Sequence, residues 1–227
     1  MDYLIIAAHP DDEVLGCGGS IAKWTANGDK VNILIAAEGI TSRDNNRNIG
    51  KRKNALSDLR SSSQKAAKIL GANSVSIFDF PDNRMDSIDL LDVVKKIGHH
   101  IEKLRPQIIV THHAGDLNID HQIIHKAVIT FCRPQPSFYV KKILTFEIPS
   151  STEWQSPQNN TPFIPNWFED ITITLDKKIK ALNAYKSEMR NWPHSRSVES
   201  IKYLSKWRGA SVGLEAAESF MLVRNIT

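Results

Sequence analysis

Short apolar runs alternate with longer amphipathic segments along the chain. The runs DYLIIAA, KVNILIAAEG, SVSIFDFPD, PQIIVTHH and KKILTFEIP are apolar and end at turn signals, a pattern that predicts five buried strands. Helical patterns lie between these runs: GSIAKWTANG, closed by Gly28; 56–70, capped by Gly71; 87–104, which ends before Pro106; and 120–131. Strands and helices that alternate in this way build a parallel sheet with both faces covered.

The length and composition fit one α/β domain. The chain has 227 residues, of which 41% are hydrophobic, enough for an ordinary core and too many for a disordered chain. We find no internal repeat, low-complexity tract or convincing domain boundary. We therefore predict fold class α/β and a single domain over 1–227.

Cysteine content, hydropathy and charge limit the location and the partners. The two cysteines, Cys17 and Cys132, form no disulfide framework and suit a reducing cytoplasm, which is the location we expect. The apolar runs are too short for a transmembrane segment, and no basic segment of a signal peptide precedes the first strand. The net charge is +4, but the basic residues are scattered along the chain, so we expect no nucleic acid partner. A small anionic substrate would suit this mild positive charge equally well.

Polar groups gather where the predicted strands end. HPDDE, EGITSRD, DFPDNR and HHAGDLNIDH follow successive strands. Ligands of open α/β sheets bind beyond the carboxyl ends of the strands, so these segments should meet at one rim. The connections 38–51 and 149–165 are long and polar. We predict that both flank the pocket and are more mobile than the sheet.

Histidine and carboxylate side chains at this rim favour a metal site. His9 and Asp12 are three positions apart, so a turn that enters a helix can aim both at one point. Imidazole nitrogen and carboxylate oxygen together suit a divalent cation such as Zn²⁺, and a catalytic site needs a third protein ligand. The best candidate is His121, at the junction of loop and helix after the fourth strand. His112 and His113, nearer to the strand end, are the alternatives.

Simpler explanations of the first motif compete with a metal site. HPDDE can be a solvated turn in which an aspartate caps the helix. The cluster of Gly16, Gly18 and Gly19 can suggest a nucleotide loop, but Ile21 stands where the third glycine of G-x-G-x-x-G belongs. We expect these glycines to let the helix and a strand pack closely.

The segments AHPDDEVLGCGG and DLNIDHQ resemble the PIG-L/LmbE-like family of zinc-dependent N-acetylglucosaminyl deacetylases. Weaker likeness through FPDNRMD, FEIPSSTEW and YKSEMRNWPHSRS extends over most of the chain. The resemblance implies a Rossmann-like three-layer sandwich with a mostly parallel sheet. It also implies that His9, Asp12 and His121 bind Zn²⁺ or another divalent metal such as Fe²⁺, with Asp11 as general base. The expected reaction is hydrolysis of the acetyl group from a small molecule or glycan that carries an N-acetylated sugar.

The chemistry of the residues agrees with that expectation. Water activated by the metal attacks the amide carbonyl, and Asp11 takes the proton and passes it to the leaving amine. We place Asn118 and Asp120 with Asp11 in the catalytic group, and Asp120 can also orient a metal ligand. Asn118 stands where several family members have a histidine, and an amide cannot give up a proton at neutral pH. His194 of PHSRS can supply the missing imidazole.

Substrate contacts are predicted from position. Arg43 can bind a phosphate or a sugar hydroxyl, and Asp82 can accept hydrogen bonds from sugar hydroxyls. His194 and Arg196 lie in segment 149–227, which we expect to complete the pocket. Other side chains that can contact a sugar are Arg84, Arg208, Trp154, Trp167 and Trp192.

Two other functions stay open at this point. One is a metal hydrolase that acts on a different N-acyl group. The other is a non-catalytic nucleotide-binding Rossmann module that uses GCGG to bind phosphate.

Overall fold

A computed structural model of the chain describes residues 1–156 and 161–227, and these residues form a central sheet between two layers of helices. The strands of the described residues are β1 (Asp2–Ala7), β2 (Lys30–Ala37), β3 (Ser74–Phe80), β4 (Ile108–His112), β5 (Lys142–Phe146), β6 (Trp167–Asp170) and β7 (Ala217–Asn225). The helices are α1 (Asp12–Ala26), α2 (Lys53–Leu70), α3 (Leu90–Leu104), α4 (Ile119–Phe131), α5 (Leu175–Leu182) and α6 (Val198–Ala210). Within the described residues, no helix is both long and apolar enough to span a membrane.

The sheet has the strand order β3-β2-β1-β4-β5-β7-β6. Strands β1 to β5 are parallel to one another, and β7 runs antiparallel to both β5 and β6. The order reverses on either side of β1, so the connections after β1 and β4 leave a crevice at the carboxyl edge of the sheet. This architecture confirms the predicted α/β class with a mostly parallel central sheet.

Both faces of the sheet are buried, because helices cover each of them. Along β1 the side chains alternate: Tyr3 and Ile5 belong to the core beneath α1 and α2, while Leu4 and Ile6 belong to the core beneath α3 and α4. All of these side chains are buried. The continuous apolar runs in the sequence follow from this two-sided burial.

The five predicted strands are confirmed, and some helix limits differ from the prediction. Gly71 ends α2 with a φ of 82°, as a left-handed cap requires. Helix α3 begins at Leu90 rather than at Ser87, which lies in a short 3-10 turn. The hydroxyl of Ser87 donates to the carbonyl of Arg84, and the amide of Met85 donates to Asp120, so contacts outside the helix set its start.

Helix α1 contains a break that is capped from outside the helix. Cys17 has a non-helical backbone (φ −148°, ψ 25°), which leaves the amides that follow it without helical acceptors. The amides of Gly19 and Ser20 donate instead to the two carboxylate oxygens of Glu218, at 2.9 and 2.7 Å. The negative charge of Glu218 therefore stands at the N-terminus of the second helical segment, where it is favourable.

The other side of the break is capped by a buried lysine. The ammonium of Lys178 donates to the carbonyl of Leu15 at 2.8 Å and to Glu218 at 2.6 Å. The side chains of Lys178 and Glu218 are only 4% and 3% exposed. This ion pair thus satisfies both backbone ends of the break and joins α1 to α5 and β7.

The glycine cluster serves close packing, as predicted. A Cβ on Gly16 would lie 2.6 Å from the ring of Phe146 in β5, and one on Gly19 would lie 2.9 Å from Ile171. Both separations are far below van der Waals contact, so a larger side chain would push α1 away from its neighbours. The start of α1, which carries Asp12, is held against the sheet in this way.

Candidate metal centre and active site

The predicted metal ligands meet at the carboxyl edge of the sheet. His9 lies in the turn after β1, Asp12 is the first residue of α1, and His121 lies in the first turn of α4. Asp12 and His121 are buried, and His9 is partly exposed to a cavity of about 200 Å³. The side chains come together because β1 and β4 are neighbours in the sheet.

The spacing of the three ligand atoms fits a small tetrahedral cation. His9 Nδ1 and Asp12 Oδ2 are 3.3 Å apart, His121 Nε2 and Asp12 Oδ2 are 3.2 Å apart, and the two histidine nitrogens are 3.3 Å apart. Ligands at zinc-like bond lengths in a tetrahedron are separated by roughly 3.3 Å. Asp12 Oδ1 is buried and has no hydrogen-bond partner within the described residues. The donor set therefore fits a divalent cation.

Two further carboxylates orient the histidines. His9 Nε2 lies 2.9 Å from Asp120 Oδ2, and His121 Nδ1 lies 3.1 Å from Asp116 Oδ1. His9 is hydrogen-bonded to Asp120, and His121 Nδ1 lies within ion-pair distance of Asp116, so each ring has one nitrogen beside a carboxylate and the other toward the shared centre. Carboxylates in such positions orient metal-binding histidines. Asp82 Oδ1 also lies 3.4 Å from His9 Nε2.

The electrostatics of this cluster favour positive charge. Burial lowers the pKa of His9, but hydrogen bonds with Asp12 and Asp120 outweigh this and raise that pKa well above its usual value. Burial likewise lowers the pKa of His121, while Asp12 and Asp116 raise it to about 9. Buried carboxylates that raise the pKa of two histidines create a field in which a divalent cation is also stabilised.

Asp11 lies beside the ligand triangle and outside it. Its backbone has a φ of 109°, a conformation that costs a non-glycine residue about 1–3 kcal/mol and that is found at functional sites. Asp11 Oδ2 accepts a hydrogen bond from Arg196 Nη1 at 3.0 Å, and the Asp11 amide donates to Glu13. Burial raises the pKa of Asp11, Arg196 lowers it and Asp12 raises it, which together place it at about 8.

Polar side chains from several loops line the cavity around these residues. Asp82 Oδ2 accepts from the amide and the hydroxyl of Ser42, at 3.0 and 2.6 Å. Arg43 makes a two-pronged contact with Glu188, with distances of 2.9 and 2.7 Å. Asn118 caps α4 by accepting from the Asp120 amide. The residues that line the cavity include Asp11, Ser42, Arg43, Asp82, Asn118, Glu188, Arg190 and Arg196.

The two predicted loops differ in how much of each is described. From the loop 38–51, the cavity is lined by Gly39, Ile40, Ser42 and Arg43, as predicted. At the start of the loop 149–165, the hydroxyl of Ser150 accepts from Arg196 and those of Ser151 and Thr152 donate to Asp116. Residues 157–160 of that loop lie outside the described residues. The mobility of both loops stays a prediction.

The alternative histidines have other partners. His112 is fully buried, accepts from the Ala8 amide at 2.8 Å and stacks on His121 with ring centroids 3.8 Å apart. His113 Nε2 lies 2.8 Å from the carbonyl of Thr161. His112 therefore packs against the candidate ligand His121, and His113 points to the loop that contains Thr161.

Several predicted substrate contacts lie away from the cavity. His194 is not among its described lining residues; its ring accepts from the Arg196 amide and packs against Trp154. Arg84 donates to backbone carbonyls, and Arg208 pairs with Glu147. Trp167 lies in β6, and Trp192 packs edge-on against Tyr203. Contacts with other parts of the chain thus involve these side chains, and no local sequence pattern indicates those contacts.

Sequence reasoning also missed residues of the site. Asp116 lies within DLNIDHQ and would have been found by asking which acid can reach the far nitrogen of His121. Asn83, Glu188 and Arg190 reach the cavity from segments far apart in sequence. No local pattern marks these three residues.

Comparison with known proteins agrees with the geometry. The family model described as PIG-L, GlcNAc-PI de-N-acetylase, matches residues 4–132, which is more than half of the chain and contains all three candidate ligands. The chain belongs to the PIG-L family. Its resemblance to this family, first inferred from the sequence motifs, is thus confirmed.

Individual relatives of this PIG-L protein include deacetylases and a hydratase. It is 31% identical over 192 residues to the uncharacterized deacetylase YaiS of Escherichia coli K12, covering 81% of this chain and 90% of that protein. It is 27% identical over 236 residues to diacetylchitobiose deacetylase of Thermococcus kodakarensis, and the match covers 98% of this chain and 83% of that protein. Its fold is similar to the crystal structure of GalB, the 4-carboxy-2-hydroxymuconate hydratase of Pseudomonas putida KT2440. The TM-score is 0.76 at 21% identity, and the superposition covers 100% of this chain and 98% of that chain. The last likeness shows the fold alone.

The nucleotide-binding alternative finds no support in this PIG-L chain. Backbone amides after a glycine cluster bind phosphate only when they are free to point at it. Here the amides of Gly19 and Ser20 both donate to the buried carboxylate of Glu218. These two amides therefore bind an internal carboxylate and are not free to bind the phosphate of a nucleotide.

We expect Asp116→Asn to weaken metal binding by about 10- to 100-fold, because the His121 ring loses the carboxylate that orients it. Chelator competition followed by elemental analysis measures the affinity. Asp92→Asn, on the exposed side of α3, is the matched control. Unchanged affinity in a folded Asp116→Asn protein contradicts the orienting role.

Proposed function

We propose that this PIG-L protein is a metal-dependent hydrolase that removes the acetyl group from an N-acetylated, N-acetylglucosaminyl-type sugar. We propose His9, Asp12 and His121 as the ligands of Zn²⁺ or a similar divalent cation, and Asp11 as the general base. The observation that carries the proposal is the triangle of ligand atoms, 3.2 to 3.3 Å on a side, next to the buried carboxylate of Asp11, which lines the cavity together with His9.

The residues around the triangle have different chemical roles. A bound divalent cation would supply Lewis acidity, which makes water a usable nucleophile near neutral pH and stabilises charge on an amide oxygen. Asp11 accepts the proton of the attacking water at a carboxylate oxygen and delivers it to the leaving amine. Asp116 and Asp120 hold the two histidines in place, so Asp120 acts through His9 rather than on the substrate.

The cavity supplies contacts for a sugar. Asp82 and Ser42 form a hydrogen-bonded pair that can bind sugar hydroxyls, and the guanidinium of Arg43 lies at the rim. Glu188 and Arg196 come from the part of the chain after residue 149. We therefore propose that segment 149–227 completes the pocket within one domain. The free, buried cysteines Cys17 and Cys132 support the proposal of a cytoplasmic location.

The test combines metal content with acetate release. We expect the purified chain to hold one divalent ion and to release acetate from N-acetylglucosamine or N,N′-diacetylchitobiose. His121→Ala should lose both properties, because a ligand of the triangle is gone. His113→Ala is the control, since that ring bonds to the Thr161 carbonyl. Full metal content in His121→Ala would falsify the ligand assignment.

The same assay separates the alternative reactions. A hydratase adds water without releasing acetate, so acetate release excludes hydration as the activity on these probes. A panel of N-formyl, N-acetyl and N-propionyl glucosamine decides which acyl group is removed. Faster release of another acid than of acetate overturns the assignment as a deacetylase.

A further inference from the structure

The guanidinium of Arg196 is fixed beside the proposed general base. Its Nη1 donates to Asp11 Oδ2 at 3.0 Å, and its Nε donates to the hydroxyl of Ser150 at 2.7 Å. The Arg196 amide donates to the ring of His194, which anchors the backbone as well. The side chain is 24% exposed and lines the cavity. Arg196 thus presents a positioned cation next to the reacting groups.

The amide of Asn118 is committed to other partners. Its Oδ1 accepts from the Asp120 amide at 2.9 Å and so caps α4. Its Nδ2 donates to Asn83 Oδ1 at 2.7 Å. Both ends of the side chain therefore serve the structure around the site, and a neutral amide would in any case be a weaker donor to a developing anion than a charged group.

The other arginines of the cavity are held away from Asp11. Arg43 binds both carboxylate oxygens of Glu188. Arg190 donates through Nη1 to the carbonyls of Ser187 and Met189. Of the cavity arginines in the described part of the chain, Arg196 is the one that contacts Asp11.

We propose that Arg196 is a catalytic residue that donates a hydrogen bond to the amide oxygen of the substrate as negative charge develops there. This inference rests on the proposed deacetylation. Arg196 binds Asp11 through Nη1 and Ser150 through Nε, so its Nη2, on the cavity side of the general base, is the group that would donate to the carbonyl under attack. A charged donor placed in advance in a partly buried site stabilises an oxyanion strongly.

The reaction balances without a proton from Arg196. The oxygen of water bonds to the carbonyl carbon, the π electrons move to the amide oxygen, and Asp11 takes a proton from the water. The electrons then return to re-form the carbonyl, the C–N bond breaks, and Asp11 gives its proton to the amine. Water and amide become acetic acid and amine, which ionise to acetate and ammonium near neutral pH. The guanidinium stays protonated throughout because its pKa is too high for proton transfer.

The test uses Arg196→Ala with N-acetylglucosamine and N,N′-diacetylchitobiose as probes. We expect kcat to fall by about 10²- to 10³-fold with little change in KM, because the lost bond forms in the transition state. Added guanidinium chloride should restore part of kcat, which a purely structural role would not allow. Metal content should match that of the unmodified chain, and the variant should remain folded at the assay temperature although its unfolding temperature falls, because Arg196→Ala leaves the buried Asp11 carboxylate without its cation. Arg196→Lys should recover less activity than guanidinium does, since an ammonium lacks the planar pair of donors.

Controls separate this role from the others. Guanidinium should not rescue Asp11→Asn, which retains Arg196 and lacks the base. Arg133→Ala, whose side chain bonds only to the Thr130 carbonyl among the described residues, should behave as the unmodified chain with and without guanidinium. A rise in KM with unchanged kcat, or failure of guanidinium to restore any kcat in a folded, metal-loaded Arg196→Ala protein, overturns the proposal. If the unmodified chain releases no acetate, the proposed function fails, and this inference fails with it.

Discussion

Asp11→Asn is expected to lower turnover by about a hundredfold or more while metal content stays that of the unmodified chain. Asparagine keeps the size of the side chain and removes the oxygen that can take a proton. Asp11 Oδ2 contacts Arg196 rather than the ligand triangle, so the change leaves His9, Asp12 and His121 in place. Affinity for the substrate should change far less than kcat, since the loss acts in the transition state.

Two measurements decide the role of Asp11: the metal stoichiometry and the rate of acetate release. Asp58→Asn on the exposed face of α2 is the control for a lost surface carboxylate. If Asp11→Asn loses its metal, Asp11 is itself a ligand and its role and that of Asp12 must be exchanged. If the variant keeps both metal and rate, another group is the base.

Lys178→Met is expected to destabilise the fold by about 3–5 kcal/mol, the usual cost of removing one partner from a buried ion pair. The change leaves the Glu218 carboxylate buried without its cation and removes the donor to the Leu15 carbonyl. The Gly19 and Ser20 amides still bind Glu218, which places the effect toward the lower end of that range. The free energy of unfolding in urea measures it.

A neighbouring lysine provides the control for this effect. Lys177 is exposed on the same helix, and Lys177→Met should change stability by less than about 0.5 kcal/mol. Equal stability of Lys178→Met and Lys177→Met contradicts the capping role of the ion pair at the break in α1.

Much of the fold could be predicted from local pattern. The five apolar runs are the five parallel strands, because a strand buried on both faces needs a continuous apolar segment. Strands β6 and β7 were missed. β6 is a short edge strand of partly exposed residues, and β7 mixes buried with exposed positions, so neither has that signal. Their place in the sheet depends on pairing between segments far apart in sequence: β7 pairs with β5, and β6 pairs with β7.

The candidate site divides in the same way. His9, Asp12 and His121 could be named from the sequence, because each follows a predicted strand and the carboxyl ends of neighbouring parallel strands meet at one edge. The distances between these three side chains could not be predicted from the sequence. They depend on the turn that gives Asp11 its φ of 109° and on the carboxylates beside the rings of His9 and His121.

The sequence by itself determined the parallel sheet, the edge of the sheet that carries the candidate site and the residue types that would bind a divalent metal. Hydrophobic periodicity and residue type are local properties of the sequence, and they are sufficient to predict these three features. Only the tertiary structure decided that Asp116 faces His121, that Glu218 occupies the amides after the glycine cluster, and that Arg196 lies 3.0 Å from Asp11. Arg196 and Asp11 are 185 positions apart, and chain folding alone decides which distant charges share a buried space.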